Sequence, residues 1–163
     1  MTGIASAQTI RLSPETEAHG DFLRELFDST REGELAGSGW SEPQKEAFLS
    51  MQFRARTSHY RTHFHDADSR IVIAEGRPAG RLCVWKGRDE IRIVDIALLP
   101  PFRGRGIGTG LIGRILAEAD QAGLPVRIHV EARNPARKLY ERLGFLLVED
   151  KGVHWLMERS ASR

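Results

Sequence analysis

The sequence predicts an α/β fold, and three neighbouring patterns predict it. Ile91 to Leu98 is an apolar, β-branched run that stops at Pro100-Pro101, as a strand does. After a glycine-rich turn, Ile107, Leu111, Ile112, Ile115, Leu116 and Ala119 recur at helical spacing. Another apolar run, Val126 to Val130, follows Gly123. Strand, helix and strand in that order imply parallel neighbours joined by a right-handed crossover.

The remaining elements follow from similar signals. Thr9 to Leu12 reads as a short strand. Ser13-Pro14-Glu15-Thr16-Glu17 has the cap, proline and acids of a helix start, and Phe22, Leu23, Leu26 and Phe27 give that helix its apolar face. Gly33 to Trp40 carries three glycines and reads as a loop. Ser41-Glu42-Pro43-Gln44 opens a second helix running toward Phe64. Ile71 to Ala74 and Gly80 to Lys86 read as strands joined by a turn at Glu75-Gly76-Arg77-Pro78, and Ile91 to Leu98 extends that meander. Beyond Val130, Asn134 suits an N-cap, Pro135 the first helical position and Gly144 the left-handed residue past the helix end. Ala136, Leu139, Tyr140 and Leu143 form that helix's apolar stripe. Phe145 to Val148 and Val153 to Met157 close as a hairpin across Glu149-Asp150-Lys151-Gly152. The order is β-α-α-β-β-β-α-β-α-β-β.

Arg103-Gly104-Arg105-Gly106-Ile107-Gly108 joins the strand to the amphipathic helix. Free backbone N–H groups converge at a helix start, and the helix dipole favours negative charge there. Glycines remove the side chains that would block an anion's approach. The loop therefore reads as a phosphate or pyrophosphate cradle. It is no P-loop, because no Lys-Ser or Lys-Thr follows the glycines. A dinucleotide fingerprint fits poorly: the acid it expects about 20 residues on is missing, and Arg127-Ile128-His129 occupies that region.

A third pattern, Arg/Gln-x-x-Gly-x-Gly/Ala, is filled in order by Arg103, Gly106 and Gly108. It resembles the acetyl-CoA pyrophosphate loop of the GNAT superfamily of N-acetyltransferases. The resemblance continues through Asn134-Pro135-Ala136-Arg137-Lys138-Leu139-Tyr140-Glu141-Arg142-Leu143-Gly144-Phe145, which is similar to that superfamily's Asn-…-Ala-…-Leu-Tyr-Glu-x-x-Gly-Phe signature. Here one residue fewer separates Asn134 from Tyr140 than in the common version.

The resemblance implies a mixed, mostly antiparallel central sheet flanked by helices. Two of its strands would splay apart to hold acetyl-CoA as co-substrate. It implies that backbone amides of Ile96, Ala97 and Leu98 hold the pantetheine arm and acetyl carbonyl. Amides along Arg103-Gly104-Arg105-Gly106-Ile107-Gly108-Thr109 would hold the pyrophosphate, with Asn134 either touching the cofactor or only capping its helix. Tyr140 would protonate the departing sulfur. Strand alternation puts Arg127, His129 and Glu131 on one face, so Glu131 and His129 are candidate bases, with Asp95 a third. Trp40, Gln52, Phe53, Arg56 and Tyr60 are candidate lining for the acceptor, an amine on a small molecule, peptide or protein. The resemblance also allows a homodimer.

The bulk properties narrow the rest. A chain of 163 residues with 40% apolar content suits one domain, residues 1–163. The net charge of +2 is scattered without a Lys/Arg run, so nucleic acid is not implied. Cys83 is the one cysteine and lies in an apolar run, which fits a buried thiol in a reducing cytoplasm. No stretch approaches the ~20 apolar residues of a membrane span, and no signal-peptide pattern opens the chain. His59 and His63 are four apart, yet no carboxylate or cysteine at ligand spacing joins them, so no metal is expected. The alternative from another class is a module that binds acyl-CoA as a sensor without turnover; Tyr140 favours the enzyme.

Overall fold

The computed structural model describes residues 9–162. Its strands are β1 (Ile10–Pro14), β2 (Asp68–Ala74), β3 (Arg77–Lys86), β4 (Ile91–Leu98), β5 (Val126–Glu131), β6 (Leu146–Asp150) and β7 (His154–Arg159). The helices are α1 (Gly20–Ser29), α2 (Glu32–Ala36), α3 (Glu42–His63), α4 (Ile107–Ala122) and α5 (Arg137–Arg142). All strands join one sheet in the order β1-β2-β3-β4-β5-β7-β6. The β1–β2, β5–β7 and β6–β7 pairs are antiparallel and β4–β5 is parallel, the mixed sheet the sequence led us to expect.

The chain forms two compact units. One holds the residues up to Arg81 together with Ala97–Phe102, and the other holds Leu82–Ile96 and the residues from Arg103 onward. In the first unit, Phe27, Leu35 and Leu49 form a buried cluster with Phe48 and Phe53 against it. Arg24 ties α1 to α3: it bonds Asp28 at 2.8 Å, both carboxylate oxygens of Glu46 at 2.9 Å and Ser50 Oγ at 3.0 Å. In the second unit, Ile91 and Ile93 of β4 and Val126, Ile128 and Val130 of β5 are buried on the strands' shared face. Leu111, Ile112, Ile115 and Leu116 of α4 are buried too. Burial of each such side chain is worth about 1.5–3 kcal/mol.

Four local expectations change. Ser13 and Pro14 do not start a helix; they extend β1, paired with Ile71 and Arg70. β1 is an edge strand, where a proline's missing donor does no harm. The helix start moves on to Thr16, whose N–H donates to His19 Nδ1 at 2.9 Å. Residues 33–36 are helical as part of α2, because burying Leu35 beside Phe27 and Leu49 overrides the glycine. The β2–β3 turn is tighter than expected: only Glu75 and Gly76 form it, with φ of 54° and 74°, as a two-residue hairpin loop requires. Asn134 does not cap α5 directly. Its Oδ1 accepts from the Ala136 N–H at 2.9 Å, forming a turn that winds into the helix after Ala136.

Candidate active site

The β4–β5 ladder is short. Ile91, Arg92 and Ile93 pair with Val126, Arg127 and Ile128, and no register continues beyond Ile93 although both strands do. Their ends therefore part, as the expected splay requires. At Gly123 (φ 70°), which caps α4, the chain turns back into β5.

After β4, a 3-10 turn (Pro100–Phe102) leads into the glycine loop. Arg103, Gly104, Arg105 and Gly106 are all exposed. Gly104 and Gly106 take φ of 73° and 81°, a region that favours glycine, and Gly106 is the N-cap of α4. A Cβ at Gly104 or Gly106 would meet nothing within 4 Å, so the approach to the first amides of α4 is open. Gly110 N–H closes the first helical bond, to Gly106. The N–H groups ahead of it point out of the helix end, where an anion is stabilised. A Cβ at Gly108 would lie 3.9 Å from Leu139 of α5, which brings the two sequence motifs together.

Tyr140 is buried, 4% exposed, and packs edge-on against Phe145 at 5.8 Å between ring centres. Burial, and secondarily the charge of Asp95, push its hydroxyl up to about 12. Asp95 lies on β4 beyond the last paired residue, so two sequence-predicted site residues are brought together.

Glu131 and His129 belong to the other face. Val130 pairs with Trp155 across β5 and β7, so their side chains share a face. Arg137 of α5 stacks on Trp155 at 4.2 Å, which puts α5 on that face. Alternation along β5 sends His129 and Glu131 to the opposite one. There, Glu90 accepts from Arg92 and Arg127, both at 2.7 Å, and Arg127 also bonds Glu158 at 2.6 Å. Arg92 Nη1 lies 3.1 Å from His129 Nδ1. A guanidinium can only donate, so Nδ1 accepts and Nε2 carries the proton of the neutral ring. Burial, followed by the charges of Arg92, Lys151 and His154, lowers the pKa of His129.

Of the candidate acceptor lining, Phe53 belongs to packing, with its ring 5.5 Å from Phe27. Arg56 donates to the Tyr60 hydroxyl at 2.9 Å, and Trp40, 41% exposed, stands edge-on to Phe48. Gln52 Oε1 is buried without a partner. In the same unit, a groove of about 560 Å³ runs between α1 and residues 99–101; Asp21, Glu25, Asp28 and Glu32 line it beside Arg24. The His59 and His63 rings lie 4.4 Å apart. Among the described residues no group of three His, Cys, Asp or Glu is arranged to hold a metal ion. No described helix is long and apolar enough to cross a membrane. Cys83 is buried.

Residues 21–145 match the family described as the acetyltransferase (GNAT) family. The chain belongs to it. As a GNAT acetyltransferase it is 36% identical over 58 residues to the [ribosomal protein bS18]-alanine N-acetyltransferase of Haemophilus influenzae, covering 35% of this chain and 40% of that protein. It is 25% identical over 115 residues to the putative [ribosomal protein bS18]-alanine N-acetyltransferase of Bacillus subtilis, covering 68% of this chain and 70% of that protein. The fold is similar to that of the PaiA N-acetyltransferase of Thermoplasma acidophilum, solved with coenzyme A. That match has a TM-score of 0.69 and 16% identity, and covers 93% of this chain and 99% of the other.

The sequence did not flag Gly80 of β3. A Cβ there would lie 2.1 Å from the Ala97 carbonyl oxygen, at the far end of β4. A glycine inside a strand was the available signal.

Proposed function

We propose that residues 1–163 act as one domain that moves the acetyl group of acetyl-CoA directly to a primary amine, the amino terminus of a protein. The observation that carries this is the early end of the β4–β5 ladder at Ile93, followed by the open amides at the head of α4. The amide series from Arg103 to Thr109 would take the pyrophosphate, and Ile96 to Leu98 the pantetheine arm and acetyl carbonyl. The names of the Haemophilus and Bacillus relatives support an alanine amino terminus as acceptor. The acidic groove beside α1 is compatible with a cationic acceptor.

In the reaction, the amine nitrogen forms a bond to the acetyl carbon as the carbon–sulfur bond breaks. The amine proton must leave and the thiolate must be stabilised. Glu131 is our choice for the base, directly or through a water, since its face is opposite that of α5. His129 is the weaker candidate, because its one lone-pair nitrogen already accepts from Arg92. Tyr140 serves the leaving group. With its hydroxyl near 12, full proton transfer to a thiolate of ordinary pKa about 8.5 would run uphill by roughly 5 kcal/mol. Its contribution is therefore a hydrogen bond to the sulfur, with the proton finally drawn from solvent. Burial first, and the charge of Asp95 second, keep the tyrosine protonated.

The test is thiol release from acetyl-CoA with peptides that begin with alanine, against the same peptides blocked at the amino terminus. Release only with the free terminus supports the reading. Binding of CoA without turnover on any amine favours the sensor instead.

A further inference from the structure

His59 and His63 stand four apart on α3, so they share one face of the helix. The spacing is that of helices that offer two imidazoles to one metal ion. Their ring centres lie 4.4 Å apart, inclined by 45°. A tetrahedral ion holding two imidazole nitrogens at about 2.0–2.1 Å sets the ring centres roughly 5 Å apart. Both residues are exposed, so a small ring rotation covers the difference.

The contacts of His59 are ring to ring, with Tyr60 at 6.1 Å and Phe64 at 6.4 Å between centres. Among the described residues neither imidazole has a hydrogen-bond partner, which leaves its nitrogens open to an ion. His63 is the last residue of α3, and Phe64 is the C-cap. The negative end of the helix dipole lies there and favours a cation. Arg61, the other basic residue of that turn, is two positions from each histidine and projects from a different face.

The interval Tyr60-Arg61-Thr62 carries no carboxylate, so this is not the base-bearing pair of a metal hydrolase. The missing third protein ligand also rules against a catalytic or structural site. A labile site, with water in its remaining positions, does not need one.

We infer that His59 and His63 chelate one borderline divalent cation, of the Zn²⁺, Ni²⁺ or Cu²⁺ class that imidazole suits, on the exposed face of the last turn of α3. The ion braces the turn that contains Tyr60, whose hydroxyl accepts from Arg56 one turn earlier at 2.9 Å. Acetyl-CoA takes no part in this, and the inference is independent of the acetyl-transfer reading.

The experiment titrates the full chain with ZnCl₂ by calorimetry, with MgCl₂ as control, while nitrogen-15 spectra follow each imidazole. One Zn²⁺ binds per chain, the ring signals of His59 and His63 move together, and those of His19, His129 and His154 stay. Mg²⁺ does neither, because it prefers oxygen ligands. His59→Gln and His63→Gln each weaken binding by roughly 10-fold or more, the loss of one arm of a chelate. The double variant Arg61→His with His63→Gln keeps six histidines but moves one off the shared face, and it weakens binding as much. His65→Gln changes nothing. Zn²⁺ raises the Tm of the wild type and not that of the double variant, because it binds the pair as the folded helix holds it. Wild type that gives neither heat nor ring shifts with Zn²⁺ overturns the inference. So does affinity that survives in either single variant or in the double one, or ring shifts at other histidines with these two unmoved. A loss in His65→Gln equal to that in His63→Gln overturns the assignment to two histidines.

Discussion

Arg92 donates to Nδ1 of His129 at 3.1 Å, and this bond decides which nitrogen of the ring carries a proton. The imidazole is left with Nε2–H outward, a donor where a base would need an acceptor. Sequence spacing alone ranks His129 and Glu131 together, two residues apart on one strand face.

Their substitutions separate them. Glu131→Gln lowers kcat by roughly 100-fold or more, the usual range for a lost general base. His129→Gln leaves kcat near wild type. Steady-state rates across pH check both, and the reverse ranking would move the base to His129.

Tyr140→Phe lowers kcat by roughly 100-fold, as expected for one lost hydrogen bond to developing charge, and leaves CoA affinity intact. Stability provides a second readout. Burial first, and Asp95 second, raise the hydroxyl from 10.0 to about 12. The unfolded tyrosine therefore ionises before the folded one does, and stability falls as pH rises across that window, by roughly 2–3 kcal/mol. Denaturant unfolding in alkaline buffers should show this loss in the wild type and its absence in the phenylalanine variant.

The glycines of the loop differ in what they tolerate. Gly106→Val loses CoA binding, because its side chain fills the open approach and strains a φ of 81°. Gly108→Ala folds normally, since its methyl makes an ordinary 3.9 Å contact with Leu139. Calorimetric titration with CoA, beside thermal melts, measures both effects.

Glu90 contributes to the acid sensitivity of the second unit. Burial raises its pKa, but the hydrogen bonds from Arg92 and Arg127 outweigh that and hold it below its ordinary 4.5. A depressed carboxylate adds stability that is present above the unfolded value and lost as pH falls through the folded one. Glu90→Gln is less stable at neutral pH by about 1–2 kcal/mol and loses less on acidification. Melting temperatures from neutral pH to below 4.5 reveal the difference.

Much of this was legible in the sequence because its signals are local. Ile91–Leu98 is the observed β4 residue for residue, and Ser41 with Gln44 forms the expected cap of α3. The left-handed Gly123 and Gly144 stand where their helices end. What stayed hidden depends on partners far along the chain. The insertion of β7 between β5 and β6 is set by strand pairing, and α2 exists because Leu35 finds Phe27 and Leu49. The protonated nitrogen of His129 depends on Arg92, 37 residues away. Gly80 looks like a weak point in β3 until Ala97 is brought against it.

The most direct test mixes the full chain with acetyl-CoA and a peptide with a free amino-terminal alanine, and follows thiol release together with the peptide's mass. Thiol is expected in step with one acetyl group gained at the amino terminus, strongly reduced in Tyr140→Phe. Thiol release without acetylated peptide, or equal rates in wild type and Tyr140→Phe, would contradict it.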